Sequence, residues 1–157
     1  MKKLLAVALF ALLTLAACGT AENQTEGTTT GNRPEQQTII LYKSDANAEN
    51  TMPFEEAYDG KADLVPFIFK TVNEHDVELL DYTLEEDDTS LVLNLGDDVY
   101  TIQGSAGAEM FVETLARSYF ENMPALQQVI FIYKGSYEPI LDHMNIGVPY
   151  TRTDFDM

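Results

Sequence analysis

Apolar residues come in periodic runs from Ile39 onward, after a stretch, 19–38, that holds no Val, Ile, Leu, Met or aromatic side chain. Ile39, Ile40 and Leu41, followed by Tyr42, predict a strand over 38–44 with both faces covered or nearly so. SDANAEN, 44–50, predicts a polar loop, and 52–58 shows no clear period and predicts at most an irregular turn. Leu64, Phe67, Ile68, Thr71 and Val72 recur at helical spacing and predict a helix over 62–75, with Asp63 as N-cap and Pro66 in the first turn, where a missing N–H costs little. VELLDYTL, 77–84, and TSLVLNL, 89–95, predict an antiparallel hairpin across the turn Glu85-Glu86-Asp87-Asp88. VYTI, 99–102, predicts a short extra strand or an extended loop.

The strongest helical period runs over 105–123, with Ala108, Phe111, Val112, Leu115, Tyr119 and Met123 along one face. Glu109, Glu113, Arg117 and Glu121 lie mostly opposite, with Glu113 and Arg117 as an i,i+4 pair and Pro124 marking the exit. LQQVIFIYKG, 126–135, predicts an interior strand, since Val129, Phe131 and Tyr133 form one apolar face and Ile130 and Ile132 the other. The remaining tail, with Pro139, Gly147 and Pro149, predicts extended, irregular chain that docks Ile140, Leu141, Met144, Ile146 and Val148 on the domain.

The resulting order defines an α/β fold: a two-layer sandwich with an αββαβ-type core, a leading strand, and two helices on one face of a mixed sheet. Its other sheet face needs a cover, which the order of elements assigns to the tail 140–150, to 52–58, or to another protein.

Ahead of this domain stands a leader. Lys2 and Lys3 precede an apolar run, 4–15, broken only by Thr14, and Ala16 and Ala17 precede the single cysteine of the chain, Cys18. The run falls short of the roughly 20 residues of a membrane-spanning helix. Leu15-Ala16-Ala17-Cys18 resembles a bacterial lipobox, in which the thiol is alkylated by a diacylglyceryl group and a peptidase cuts before the cysteine. Two acyl chains give stable anchoring. The competing readings are an ordinary signal peptide with a chance cysteine, or a catalytic thiol, and no folded segment surrounds Cys18 to support the latter. The polar stretch that follows cannot offset its ordering entropy by burial. A flexible chain of about 20 residues has an r.m.s. span of roughly 25 Å, which suits a tether. The expected organisation is therefore a signal peptide at 1–17, a lipidated cysteine and tether at 18–38, and a folded domain with an extended tail at 39–157. The expected location is the extracytoplasmic face of the cell membrane.

Charge narrows the partners. The chain holds 9 Lys and Arg against 26 Asp and Glu, a net charge of −17, and two of the nine basic residues lie in the leader. This argues against nucleic acid and against adsorption to anionic lipid headgroups. It favours a basic protein partner or cations, although solubility alone is a common reason for an acidic surface.

Candidate chemistry is sparse. Gly104-Ser105-Ala106-Gly107 precedes a helix and Asp142-His143 lies downstream, but the G-x-S-x-G spacing is absent, and the simpler expectation is that Ser105 caps the helix. The same stretch lacks the Lys of a phosphate loop. His75, expected at the end of the first helix, and His143 are the two histidines, with no H-x-x-x-H or H-E-x-x-H spacing for zinc. The acidic runs at 85–88 and 97–98 lack the spaced ligands of a calcium loop and read as solvated turns. No residue is assigned as catalytic, metal-binding or cofactor-binding, and no cofactor is expected.

SLVLNL, then the helix of GAEMFVETLARSYFENMPAL, then QQVIFIYKG resemble the GerMN domain of bacterial sporulation and spore-germination lipoproteins. The strand at 38–43 and the helix at 62–75 match its opening half, so the resemblance covers most of 38–146. It implies an αββαβ-type fold similar to ring-building modules of secretion and sporulation machines, and it implies no catalytic residues. The sequence thus predicts a non-enzymatic, lipid-anchored domain that binds an envelope protein or itself, in sporulation or germination. A module for cations or cell-wall ligands is the first alternative, and a hydrolase using Ser105 and His143 the second.

Overall fold

The computed structural model describes residues 36–85, 87–138, 141 and 144–157. The expected signal peptide, Cys18, most of the expected tether, Glu86, Ile140, Asp142 and His143 lie outside the described residues.

The leading strand, β1 (Gln37–Ser44), forms as expected, but it does not join the main sheet. It pairs antiparallel with β2 (Thr51–Tyr58), with Leu41 opposite Phe54 and Ile39 opposite Glu56. The expectation of an irregular turn at 52–58 is therefore corrected. Pro53, Glu55 and Glu56 hide the strand in the sequence, yet β2 is an edge strand, where a residue without an N–H is tolerated. The expectation that both faces of β1 are covered also fails, since Leu41 is buried and Ile40 is exposed. Between the strands, Asp45 holds the predicted polar loop. Its Oδ1 accepts from the N–H groups of Asn47 (3.1 Å) and Glu49 (3.0 Å), which keeps its carboxyl below the ordinary carboxylate range.

Helix α1 (Leu64–Val72) starts at Asp63, whose Oδ1 accepts from the Val65 N–H at 3.2 Å, and Tyr82 donates to the other oxygen of that carboxylate. Val65, Ile68, Phe69 and Val72 face the core. The buried stripe is rotated from the predicted one, so Thr71 is exposed and bonds back to the Phe67 carbonyl oxygen at 2.8 Å. Asn73 ends the helix, and its side chain bridges to both backbone groups of Val77 (2.7 and 3.1 Å). His75 consequently sits in the turn beyond the helix rather than in its last turn, with its ring 6.1 Å from that of Phe111.

The main sheet is mixed. β3 (Leu79–Glu85) and β4 (Ser90–Leu95) form the predicted antiparallel hairpin, and β5 (Gln128–Tyr133) runs parallel to β4. A short β6 (Tyr150–Thr151) pairs antiparallel with the outer edge of β5. A parallel pair needs a crossover, and α2 (Gly104–Asn122) supplies it. Asp87 and Asp88 both take positive φ in the β3–β4 turn, a conformation that short polar side chains tolerate best. Residues 97–101 form a 3₁₀ helix, which corrects the extended reading of 99–102.

Leu91, Leu93, Leu95, Val129 and Phe131 share one core with the apolar faces of α1 and α2. Both helices thus lie on one face of the sheet, as expected for a two-layer sandwich. Each fully buried Leu or Phe contributes about 1.5–3 kcal/mol from removal of apolar surface. On the opposite face Val92, Ile130 and Ile132 form a separate cluster. Leu141 and Ile146 from the tail, and Phe54 and Tyr58 from β2, pack on the helix side. Two of the three expected covers for the outer face are therefore engaged elsewhere.

Helix α2 is buried around most of its girth, because the main sheet covers one side and the β1–β2 hairpin the other. Ser118 Oγ accepts from the Tyr42 N–H (2.9 Å), and Asn122 Nδ2 donates to the Ile40 carbonyl oxygen (2.7 Å). Two helix side chains thereby satisfy the edge of β1 that a neighbouring strand would otherwise fill. This is why the β1–β2 hairpin stays apart from the main sheet.

Candidate functional site

Helix α2 carries Glu109, Val112 and Glu113 at i, i+3 and i+4, so the three share one face. The C-terminal tail returns along that face. Ile146, fully buried, accepts a hydrogen bond from the Phe131 N–H at 3.2 Å, which continues the edge that β6 completes. Gly147 passes so close to the Tyr137 carbonyl that a Cβ there would collide with it. The tail then closes in a 3₁₀ helix, Arg152–Phe155, whose first turn is fixed by a capping box between Thr151 and Asp154.

Between α2 and this tail lies a cleft of about 260 Å³. Its apolar wall comes from Val112, Met144 and Val148, and its aromatic wall from Tyr150 and Phe155, whose rings stack at 6.0 Å and 26°. Glu109, Glu113 and Asp154 bring carboxylates to its rim. These three are unequal. Glu113 is committed, taking the Arg117 guanidinium at 3.0 Å and the Thr51 hydroxyl at 2.8 Å. Asp154 accepts from the Thr151 N–H (2.7 Å) and hydroxyl (2.8 Å) through Oδ2, and these bonds hold its carboxyl below the ordinary range. Glu109 is exposed and has no ion-pair or hydrogen-bond partner among the described residues. Tyr150 donates to the Asn145 carbonyl oxygen at 3.1 Å, and burial, with the Asp154 charge adding, pushes its pKa up to about 12. The cleft therefore combines aromatic side chains with acidic ones. A wider and more open depression of about 410 Å³ lies beside α1, with Lys70 and Asp76 both at its lining, so it carries no single sign of charge.

The residues singled out from the sequence fall elsewhere. Ser105 lies inside the first turn of α2, the N-cap position belongs to Gln103, and no side chain caps that end, so the expectation that Ser105 caps the helix is corrected. His143 and Cys18 lie outside the described residues. Asp97 is bound by Lys134 (2.6 Å) and by the Tyr133 hydroxyl (2.5 Å), which ties the 3₁₀ helix to the end of β5. Among the described residues no group of three or more His, Cys, Asp and Glu side chains converges on a common point. Tyr150, Asp154 and Phe155 were missed because the tail reads as irregular. The one available signal was Thr151-Arg152-Thr153-Asp154, a capping-box spacing.

The arrangement defines a two-layer α/β domain with an acid-rimmed apolar cleft. No family model matches the sequence, and no curated protein matches it. Solved structures share the fold, among them two bacterial proteins. One is a candidate lipoprotein from Clostridium perfringens, with 14% identity, a TM-score of 0.50, and coverage of 76% of this chain and 89% of that one. The other comprises the tandem GerMN domains of the sporulation protein GerM from Bacillus subtilis, with 14% identity, a TM-score of 0.55, and coverage of 80% of this chain and 49% of that one. The chain thus spans about half the tandem structure. The fold is GerMN-like, in agreement with the resemblance read from the sequence.

Proposed function

We propose that this chain is a lipid-anchored, extracytoplasmic binding domain that engages a protein at the cell envelope through its GerMN-like fold. Cys18 carries the anchor and 19–38 the tether in this reading. The observation that carries it is the fold held in common with a candidate lipoprotein and with the domains of a sporulation protein. The second neighbour connects the proposal to spore formation or germination. The acidic surface favours a basic partner. No catalytic residue enters the reading, and binding alone is the assigned role.

Cross-linking of the full-length, membrane-anchored chain in intact cells tests it. A discrete, saturable adduct with an envelope protein, or with a second copy of the chain, is the expected result. Recovery of uncross-linked monomer alone, under conditions that capture a known envelope complex, refutes the reading.

A further inference from the structure

We propose that the cleft between α2 and the C-terminal tail receives a Lys or Arg side chain, presented between apolar neighbours on a segment of the partner protein. This rests on the binding-domain reading above and assigns its contact chemistry.

Size comes first. About 260 Å³ is below the roughly 300–1,000 Å³ typical of small-molecule sites, and it suits one or two side chains rather than a cofactor. The walls come second. Val112, Met144 and Val148 match the aliphatic stem of a long basic residue and its apolar neighbours, and Tyr150 and Phe155 add aromatic rings, which attract cations, to the lining. Val148, 40% exposed, and Met144, half-buried, are left open on this side.

Charge comes third. Glu109 and Glu113 are like charges one helical turn apart, an arrangement that destabilises a helix. Arg117 balances Glu113, whereas Glu109 is unbalanced, and Asp154 faces the same cleft with one carboxylate oxygen outside its capping bonds. A guanidinium or ammonium group entering there relieves that repulsion. A bare divalent cation fits worse, because calcium takes six to eight oxygens and no group of three or more acidic, His or Cys side chains placed to hold a metal occurs among the described residues. Anionic lipid and nucleic acid are repelled.

The test uses the lipidated full-length chain in zwitterionic nanodiscs, with dye-labelled peptides read by fluorescence anisotropy. The probes are Leu-Arg-Leu-Arg-Leu, Gly-Arg-Gly-Arg-Gly and Leu-Glu-Leu-Glu-Leu. The first should bind best and the last not at all. Glu109→Lys should weaken the first by about tenfold or more, and Glu109→Gln by less, because a close charge pair is lost. Glu55→Lys makes the same change of charge on the exposed face of β2 and should leave binding intact. Glu109 is exposed, so its variants should melt as the wild type does. Equal loss from Glu55→Lys, no loss from Glu109→Lys, or equal binding of the glycine peptide overturns the proposal. In the cell, a wild-type adduct that persists in Glu109→Lys overturns the cleft assignment and leaves the binding-domain reading standing. No adduct from the wild type overturns that reading, while the peptide titrations still decide the cleft.

Discussion

Tyr119 lies fully buried in α2 and donates its hydroxyl to the Val65 carbonyl oxygen of α1 at 2.9 Å. Burial, reinforced by the charge of Asp63, pushes its pKa well above the ordinary 10.0. Tyr150 is pushed the same way, to about 12. The folded chain therefore keeps these phenolic protons at a pH where the unfolded chain releases them. Their contribution to stability is complete below pH 10.0 and is lost as pH rises through the raised values. The urea midpoint should fall above about pH 10, and Tyr119→Phe should flatten part of that fall. At pH 7 the same variant should lose about 1 kcal/mol, the usual worth of one hydrogen bond. A midpoint unchanged at pH 11 contradicts this account. The sequence placed Tyr119 on the buried face correctly, because spacing alone decides that. It did not show Val65 as the acceptor, because that contact depends on how the two helices cross.

Arg152 plays the corresponding part between elements. Its Nη2 donates to the carbonyl oxygens of Phe120 (2.7 Å) and Met123 (3.3 Å), and its Nε donates to that of Leu126 (3.3 Å). The guanidinium also lies 5.1 Å from the centre of the Phe120 ring. Helix α2 has no basic residue in its own last turn, so the tail supplies the cation that its C-terminal dipole favours. Arg152→Ala should cost about 1.5–3 kcal/mol, as for hydrogen bonds to a charged group. Arg152→Lys should recover only part, since an ammonium cannot reproduce the fork. Denaturant melts give the size, and hydrogen exchange across 119–126 should accelerate in both variants. Wild-type exchange there in Arg152→Ala contradicts the clamp. The elements with a clean period, α1, α2 and the β3–β4 and β5 strands, were readable from the sequence. β2 was not, because Pro53, Glu55 and Glu56 break its alternation and its strand character comes from pairing with β1. Nor was β6, a two-residue strand defined by its neighbour alone.

For the molecule as a whole, the lipoprotein reading makes a prediction that the folded domain does not enter. Cys18→Ser should shift the chain from the membrane fraction to the soluble fraction, or leave the precursor uncut, as fractionation and mass spectrometry would show. A variant that stays processed and membrane-bound contradicts the anchor.

The charge balance and the two-layer class, and the expectation of a leader and a tether, all follow from properties that each segment carries locally: length, polarity and a period of 3.6 or 2. The separation of the β1–β2 hairpin from the main sheet and the cleft beside α2 do not. Ser118 and Asn122 look like ordinary polar helix residues until β1 presents an edge for them to satisfy. Glu109 and Asp154, far apart in the chain, share a cleft because Ile146 and β6 lay the tail along β5. Such contacts come from competition among all segments for backbone partners and burial, and no local period records who wins it.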